Sequence, residues 1–243
     1  MTALMLKIIA LLSMLVDHTH IAFPDSTPVW FRAIGRMAFP IFAYLLADSF
    51  CHTRSQEKLL LRLFAFAILA EPIYDRFMGN PFNFFSDANI FYTLFLGGVA
   101  IYVHSNSQYI VNYFGNSIVY FVVGICVLTG EIIGVDFMGA GVLLIFLLYR
   151  IKEIPLKLIM LVTIMIATQA PFYTLFQMPF TEAIQTGLLK QTILRITAIA
   201  VAALLLLFQK QNHEAHTKSP LAKWVFYIAY PAHMVILLAL KMM

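Results

Sequence analysis

The chain has 243 residues, of which 61% are hydrophobic and 12% charged, with a mean hydropathy of +0.85. A soluble domain carries about 25% charged residues and cannot cover so large an apolar excess, and a disordered chain needs the opposite composition. Both are excluded, and an integral membrane protein is the expected class. The net charge of +4 comes from short basic groups beside apolar runs, which suits topology signals better than a nucleic-acid surface.

Taken in order, nine apolar stretches approach the ~20 residues that a spanning helix needs. They are roughly 5–23, 30–51, 59–77, 88–104, 113–131, 134–149, 156–176, 191–208 and 222–242. The pair 113–131 and 134–149 is short and tightly joined, which leaves eight or ten spans open. The expected fold is all-α: a polytopic transmembrane helical bundle, one domain over 1–243. The first run has only Lys7 as a basic flank and no small-residue cleavage site, and it continues through Asp17 and His18 to Phe23. It reads as an uncleaved span rather than a signal peptide. Cys51 and Cys126 lie in apolar runs without a CxxC partner, as core residues do.

Basic residues in short loops set the orientation. Arg54, Lys58 and Arg62 follow span two; Arg150, Lys152 and Lys157 follow span six; Lys210, Lys218 and Lys223 follow span eight. The intervening loops are poorer, with Arg76 and Lys190. The alternation places the N-terminus in the cytoplasm and the C-terminus on the far side.

Polar groups inside a bilayer cost about 2.5–3.5 kcal/mol when charged and are candidates for function. Asp17 and His18 lie in span one, Arg36 and Asp48 in span two, and Glu71 and Asp75 late in span three. Asn89 and Thr93 open span four, Glu131 and Asp136 flank a short turn, and His233 lies in span nine. At ~1.5 Å per residue, His18 stands about 16 Å beyond Lys7. By the same counting Arg36, Glu71, Asp75, Asn89, Thr93 and Asp136 reach the outer half of the membrane and His233 mid-depth, which suggests one polar layer. Each has a plainer reading: His233 as a hydrogen bond between helices, Arg36 as a partner of Asp17 or Glu71, Asp75 as interfacial, Asp48 as a cap. His52, His104, His213 and His216 read as loop residues. His213-Glu214-Ala215-His216 departs from the HExxH zinc pattern, so no metal is expected. His18 is the side chain best suited to move a proton near neutral pH, and a carboxylate from Asp17 or another helix would fix its tautomer.

The segment from Leu6 to His18, ending Leu15-Val16-Asp17-His18, resembles the opening of the TraX family. So do Gly35-Arg36-Met37-Ala38-Phe39-Pro40-Ile41-Phe42, Asn89-Ile90-Phe91-Tyr92-Thr93-Leu94, the run from Asp136 to Tyr149 with Gly139 and Gly141, and Phe226 to His233. Together they cover nearly the whole chain. The resemblance implies a bacterial inner-membrane acetyltransferase acting on the N-terminus of a pilin, with acetyl-CoA as donor. It also implies distant kinship with membrane acyltransferases that carry a basic residue, ten residues and a His in their first span. Lys7 and His18 have that spacing. On this reading His18, Asp17 and Arg36 are catalytic, and Lys7, Arg54 and Arg62 hold the CoA phosphates. Glu71, Asp75, Asn89, Asp136 and His233 meet the acceptor. The membrane lipid bilayer and a pilin subunit are the expected partners, with no nucleic acid. A surface glycan as acceptor, a non-enzymatic pilus-assembly accessory and a small transporter remain open alternatives, the last disfavoured by the lack of an inverted repeat.

Overall fold

A computed structural model describes residues 2–79, 87–107, 117–169, 177, 179–208 and 220–243. All regular structure among them is helical: α1 (Ala3–Ala22), α2 (Trp30–Gly35), α3 (Ala38–His52), α4 (Gln56–Met78), α5 (Ile90–Ser105), α6 (Ser117–Ile133), α7 (Met138–Arg150), α8 (Ile154–Ala167), α9 (Phe180–Gln185), α10 (Leu188–Leu207) and α11 (Pro220–Met242). Each of the nine expected spans contains helix. Four are long and apolar enough to cross a membrane: Ala3–Ala22, Trp30–His52, Leu188–Leu207 and Trp224–Met242. Helices α5 to α8 are apolar but shorter. The chain is a helical integral membrane protein. Its lipid-facing character is written on the surface, where Leu61, Leu69, Phe121 and Ile132 are all more than 60% exposed.

The second span is broken, where the hydropathy alone reads one continuous helix. Helix α2 ends at Gly35 and α3 begins at Ala38. The cause is Pro40, whose ring clashes with the carbonyl four residues back, that of Arg36, and which donates no backbone N–H. Pro40 is tolerated only in the first turn of a new helix, so the break falls at 36–37 and aims Arg36 from a turn. The ends of α1 follow similar local rules. The Thr2 hydroxyl accepts from the Met5 N–H at its start. Pro24 biases Phe23 away from helix at its end. There the Thr27 hydroxyl donates to the Phe23 carbonyl at 2.6 Å and accepts from the His20 ring at 2.9 Å.

The contacts divide the chain into two compact units, residues 1–42 with 158–243 and residues 43–157, with the division falling inside α3 and α8. In the first unit α1 packs on α2 and on α11, and α10 packs on α2 and α9. In the second, α5 packs against α4, α6 and α7, and α6 against α7. Phe91, Leu94, Ile101, Leu144, Ile145 and Leu148 are fully buried at its centre. Close approach there depends on Gly139, where a Cβ would stand 2.5 Å from the Val127 carbonyl oxygen. His104 and His52, read from sequence as loop residues, lie instead in the last turns of α5 and α3. His104 packs edge-on to Phe146 at 5.5 Å.

Candidate functional site

The site in the first unit begins with the buried stripe of α1. Leu6, Ala10, Ser13, Met14, Asp17, His18 and Ala22 are its buried positions, spaced three and four apart as one helix face requires. Ten residues lie between Lys7 and His18, an offset of eleven positions or about three turns of 3.6. The two side chains therefore leave α1 in nearly the same direction, about 16 Å apart. Lys7 is half-buried and His18 is 7% exposed.

His18 meets His233 of α11. The rings stack with centroids 4.8 Å apart and 19° between planes, and Nδ1 of His18 lies 2.5 Å from Nε2 of His233. Tyr230, 2% exposed, stands edge-on to both rings. The other nitrogen of His233 settles the protons. Its Nδ1 lies 2.8 Å from the Ala229 carbonyl, which can only accept, so Nδ1 carries the hydrogen. In the neutral pair Nε2 of His233 is then an acceptor, and Nδ1 of His18 donates to it. The lone pair of His18 consequently sits on Nε2. A backbone carbonyl thus dictates, through one imidazole, which atom of a second imidazole is basic. The sequence reading assigns that orienting task to a carboxylate; the structure gives it to His233.

Asp17 has a different task. Both its carboxylate oxygens accept from Arg32 Nη1 at 3.0 Å, and Arg36 Nη2 lies 3.6 Å away. Arg36 therefore pairs with Asp17, one of the two partners read for it. Arg32 and Arg36 also act electrostatically on His18. Arg195 of α10 lies within electrostatic reach of Arg36, Arg32 and Asp17. Neither Arg32 nor Arg195 is among the residues singled out from sequence. The signal was available for Arg195, a lone charge inside the apolar run 191–208.

The cluster depends on Gly35. A Cβ there would stand 2.3 Å from Asp17 Cβ and 2.6 Å from Oδ1, inside the distance any real contact allows. Gly35→Ala must push α2 away from α1 and lengthen both arginine contacts. Its expected result is a folded, inserted protein with at least a tenfold loss of activity and a lower midpoint of thermal unfolding in detergent. Unchanged activity would show that the approach is not needed.

The remaining polar residues form networks inside the second unit. Glu71, fully buried, accepts through Oε2 from the backbone N–H of Asn89 at 3.1 Å and from its Nδ2. The same Nδ2 donates to the Ala67 carbonyl, and Oδ1 of Asn89 accepts from the Phe91 N–H, capping α5. Thr93 donates to the Asp136 carbonyl, and the Asp136 N–H donates to the Ala88 carbonyl at 3.0 Å. Asp75 is 2% exposed in α4. Asn89 is thus a structural pin between α4 and α5. Asn89→Ala should destabilise the unit by about 1–3 kcal/mol, as unfolding by denaturing detergent would measure. Arg54 is exposed in the bend before α4, and Arg62 is half-buried in that helix. Asp48 lies 3.6 Å from the His52 ring. Lys210, Lys218, His213 and His216 lie outside the described residues.

Comparison with known proteins agrees with the motifs quoted above. The family model described as TraX protein matches residues 3–241. A probable fimbrial assembly protein of Dichelobacter nodosus, FimC of serogroup H1, is 30% identical over 116 residues, covering 43% of this chain and 47% of that protein. The match thus spans about half of the curated relative. No solved structure matches.

Proposed function

The chain belongs to the TraX protein family, and on that premise we propose that it is a bacterial inner-membrane acetyltransferase with its N-terminus in the cytoplasm. It moves an acetyl group from cytoplasmic acetyl-CoA to the N-terminal amine of a pilin and so serves fimbria biogenesis. The observation that carries this reading is the line Ala229 carbonyl, His233, His18, which runs from two half-buried residues to a buried one and leaves a defined basic nitrogen within a membrane-spanning unit. The relative's description as a fimbrial assembly protein supports the acceptor class.

In the proposed reaction the pilin amine attacks the thioester carbonyl. His18 Nε2 takes the proton lost by the nitrogen as the C–N bond forms. His233 accepts part of the resulting positive charge through Nε2, its own Nδ1–H staying on the Ala229 carbonyl. The tetrahedral oxyanion develops beside the positive charge of Arg32 and Arg36. As the C–S bond breaks, His18 returns the proton to the departing thiolate. Lys7 lies on the His18 face of α1 and offers a phosphate anchor about 16 Å away, comparable with an extended pantetheine arm. Arg54 and Arg62 add cytoplasmic positive charge in the same orientation. Asp17 orients the arginines and does no proton chemistry itself.

The test is the intact mass of the pilin made in cells with the wild-type protein, with none, and with His18→Ala. An acetyl increment on its N-terminus with the wild type alone supports the proposal. Pili lost without any change in pilin mass would favour a non-enzymatic assembly accessory instead.

A further inference from the structure

Helix α10 starts against the local rules. Its N-cap is Gly187, whose φ of +71° sets the turn, and no side chain caps the helix. Its first turn holds no acidic residue and carries Lys190 instead. The first N–H groups of a helix lack intrahelical partners and form the positive end of its dipole. A lysine there is repelled by that dipole. Among the described residues Lys190 makes no ion pair, not even with Glu182 of α9. Two positive features therefore stand together at the end of a helix able to cross a membrane. A breach of local preference of this kind is expected where function asks for it.

A groove of about 290 Å³ opens beside that end, where α9 packs on α10 within one compact unit. Its lining is Ile184 of α9 with Leu189, Lys190, Ile193 and Leu194 of α10. Ile184 is 55% and Ile193 54% exposed, so the walls are open to the surroundings. Lys190 is the third residue of its span, which places its ammonium where headgroups meet hydrocarbon, with Ile193 and Leu194 one turn deeper. The occupant has to answer a cation at the rim and four aliphatic side chains beside it. A free inorganic anion leaves the aliphatic wall unmatched. A neutral hydrocarbon leaves the cation and the helix end unmatched. An amphiphile with an anionic head and an apolar chain answers both.

We propose that the groove between α9 and α10 is a phospholipid site, with the headgroup phosphate on Lys190 and the open end of α10, and one acyl chain along Ile184, Leu189, Ile193 and Leu194. The site does not depend on the acetyltransferase reading and would serve equally an enzyme or an assembly factor.

Photocrosslinking of the full-length protein in vesicles tests it. The probes are phosphatidylglycerol and diacylglycerol, each with the same photoreactive acyl chain, and labelled peptides are read by mass spectrometry. Phe121 and Ile132 of α6, also exposed and apolar, report ordinary lipid contact in the same sample. Phosphatidylglycerol should label the groove about fivefold more than diacylglycerol does, the worth of one basic side chain at a bilayer surface, and the two probes should label α6 equally. Lys190→Gln should remove the preference and Lys190→Arg keep it. Ile193→Trp, which fills the groove, should lower its labelling by both probes and leave α6 unchanged, so a misfolded variant is recognised by its α6 signal. Equal labelling of groove and α6 by both probes in the wild type, or a preference that survives Lys190→Gln, would overturn the proposal. Labelling of α6 with none in the groove would overturn it too, and give the groove to a protein helix. Because no acetylation is measured, failure here leaves the acetyl-transfer test above untouched, and the reverse.

Discussion

Replacing His18 by Ala should lower the proposed acetyl transfer by about 10²–10⁴-fold, the usual worth of a positioned general base. The variant should still insert and unfold like the wild type. His18 makes a side-chain contact with His233 but helps hold neither α1 nor α2 through the ion pairs, which run through Asp17. The measurement is the rate of N-terminal acetylation of a pilin peptide in reconstituted vesicles, with unfolding in detergent as the control. A variant with full activity removes His18 from the chemistry. A variant that fails to accumulate in the membrane is replaced by His18→Gln, which keeps a hydrogen-bonding amide toward His233 and has no basic nitrogen.

The second large effect belongs to His233. With Ala there, nothing dictates which nitrogen of His18 carries the hydrogen, and the positive charge formed in the reaction has no second ring to enter. Activity should fall about 10²-fold, with the KM for acetyl-CoA nearly unchanged, since the loss falls on the transition state. His233→Gln should recover a part, because its side-chain carbonyl accepts from His18 Nδ1 as the imidazole does. A residue that merely packs against α1 would not divide kcat from KM in this way, nor be rescued by an acceptor. The double variant His18→Ala with His233→Ala should be no worse than His18→Ala alone, as expected of groups acting as a unit. Additive losses would separate the two roles.

Helix in each of the nine expected stretches is legible because a bilayer imposes one dominant rule, a long apolar run, although among the described residues only four helices meet it at full length. The broken second span is legible too, but only by applying proline sterics to Pro40 after hydropathy has joined residues 30 to 51. His18 stands out by depth, and its pairing with another helix is foreshadowed by reading His233 as a hydrogen bond between helices. That the two meet each other is a contact across 215 residues of chain, and no local pattern encodes it. Counting depth along a helix axis gives height and not azimuth. Residues expected to share one layer therefore resolve into an Asp17–Arg32–Arg36 and His18–His233 cluster in one unit and Glu71–Asn89 and Thr93–Asp136 networks in the other. The glycine in Gly35-Arg36 is explained only by structure, since its need comes from the side chain of Asp17 eighteen residues earlier.

Helix α1 has the properties of a ruler. Its three turns between Lys7 and His18 fix a length and a common azimuth at once, and the two quantities respond differently to editing. One inserted residue swings Lys7 about 100° around the axis and lengthens the interval by only ~1.5 Å. A four-residue insertion nearly restores the azimuth and adds about 6 Å. A donor whose anchor and reactive carbonyl are separated by a fixed arm would tolerate neither change, whereas a charge recruited merely for topology would tolerate both. On the proposed reaction, the interval would select a donor by reach.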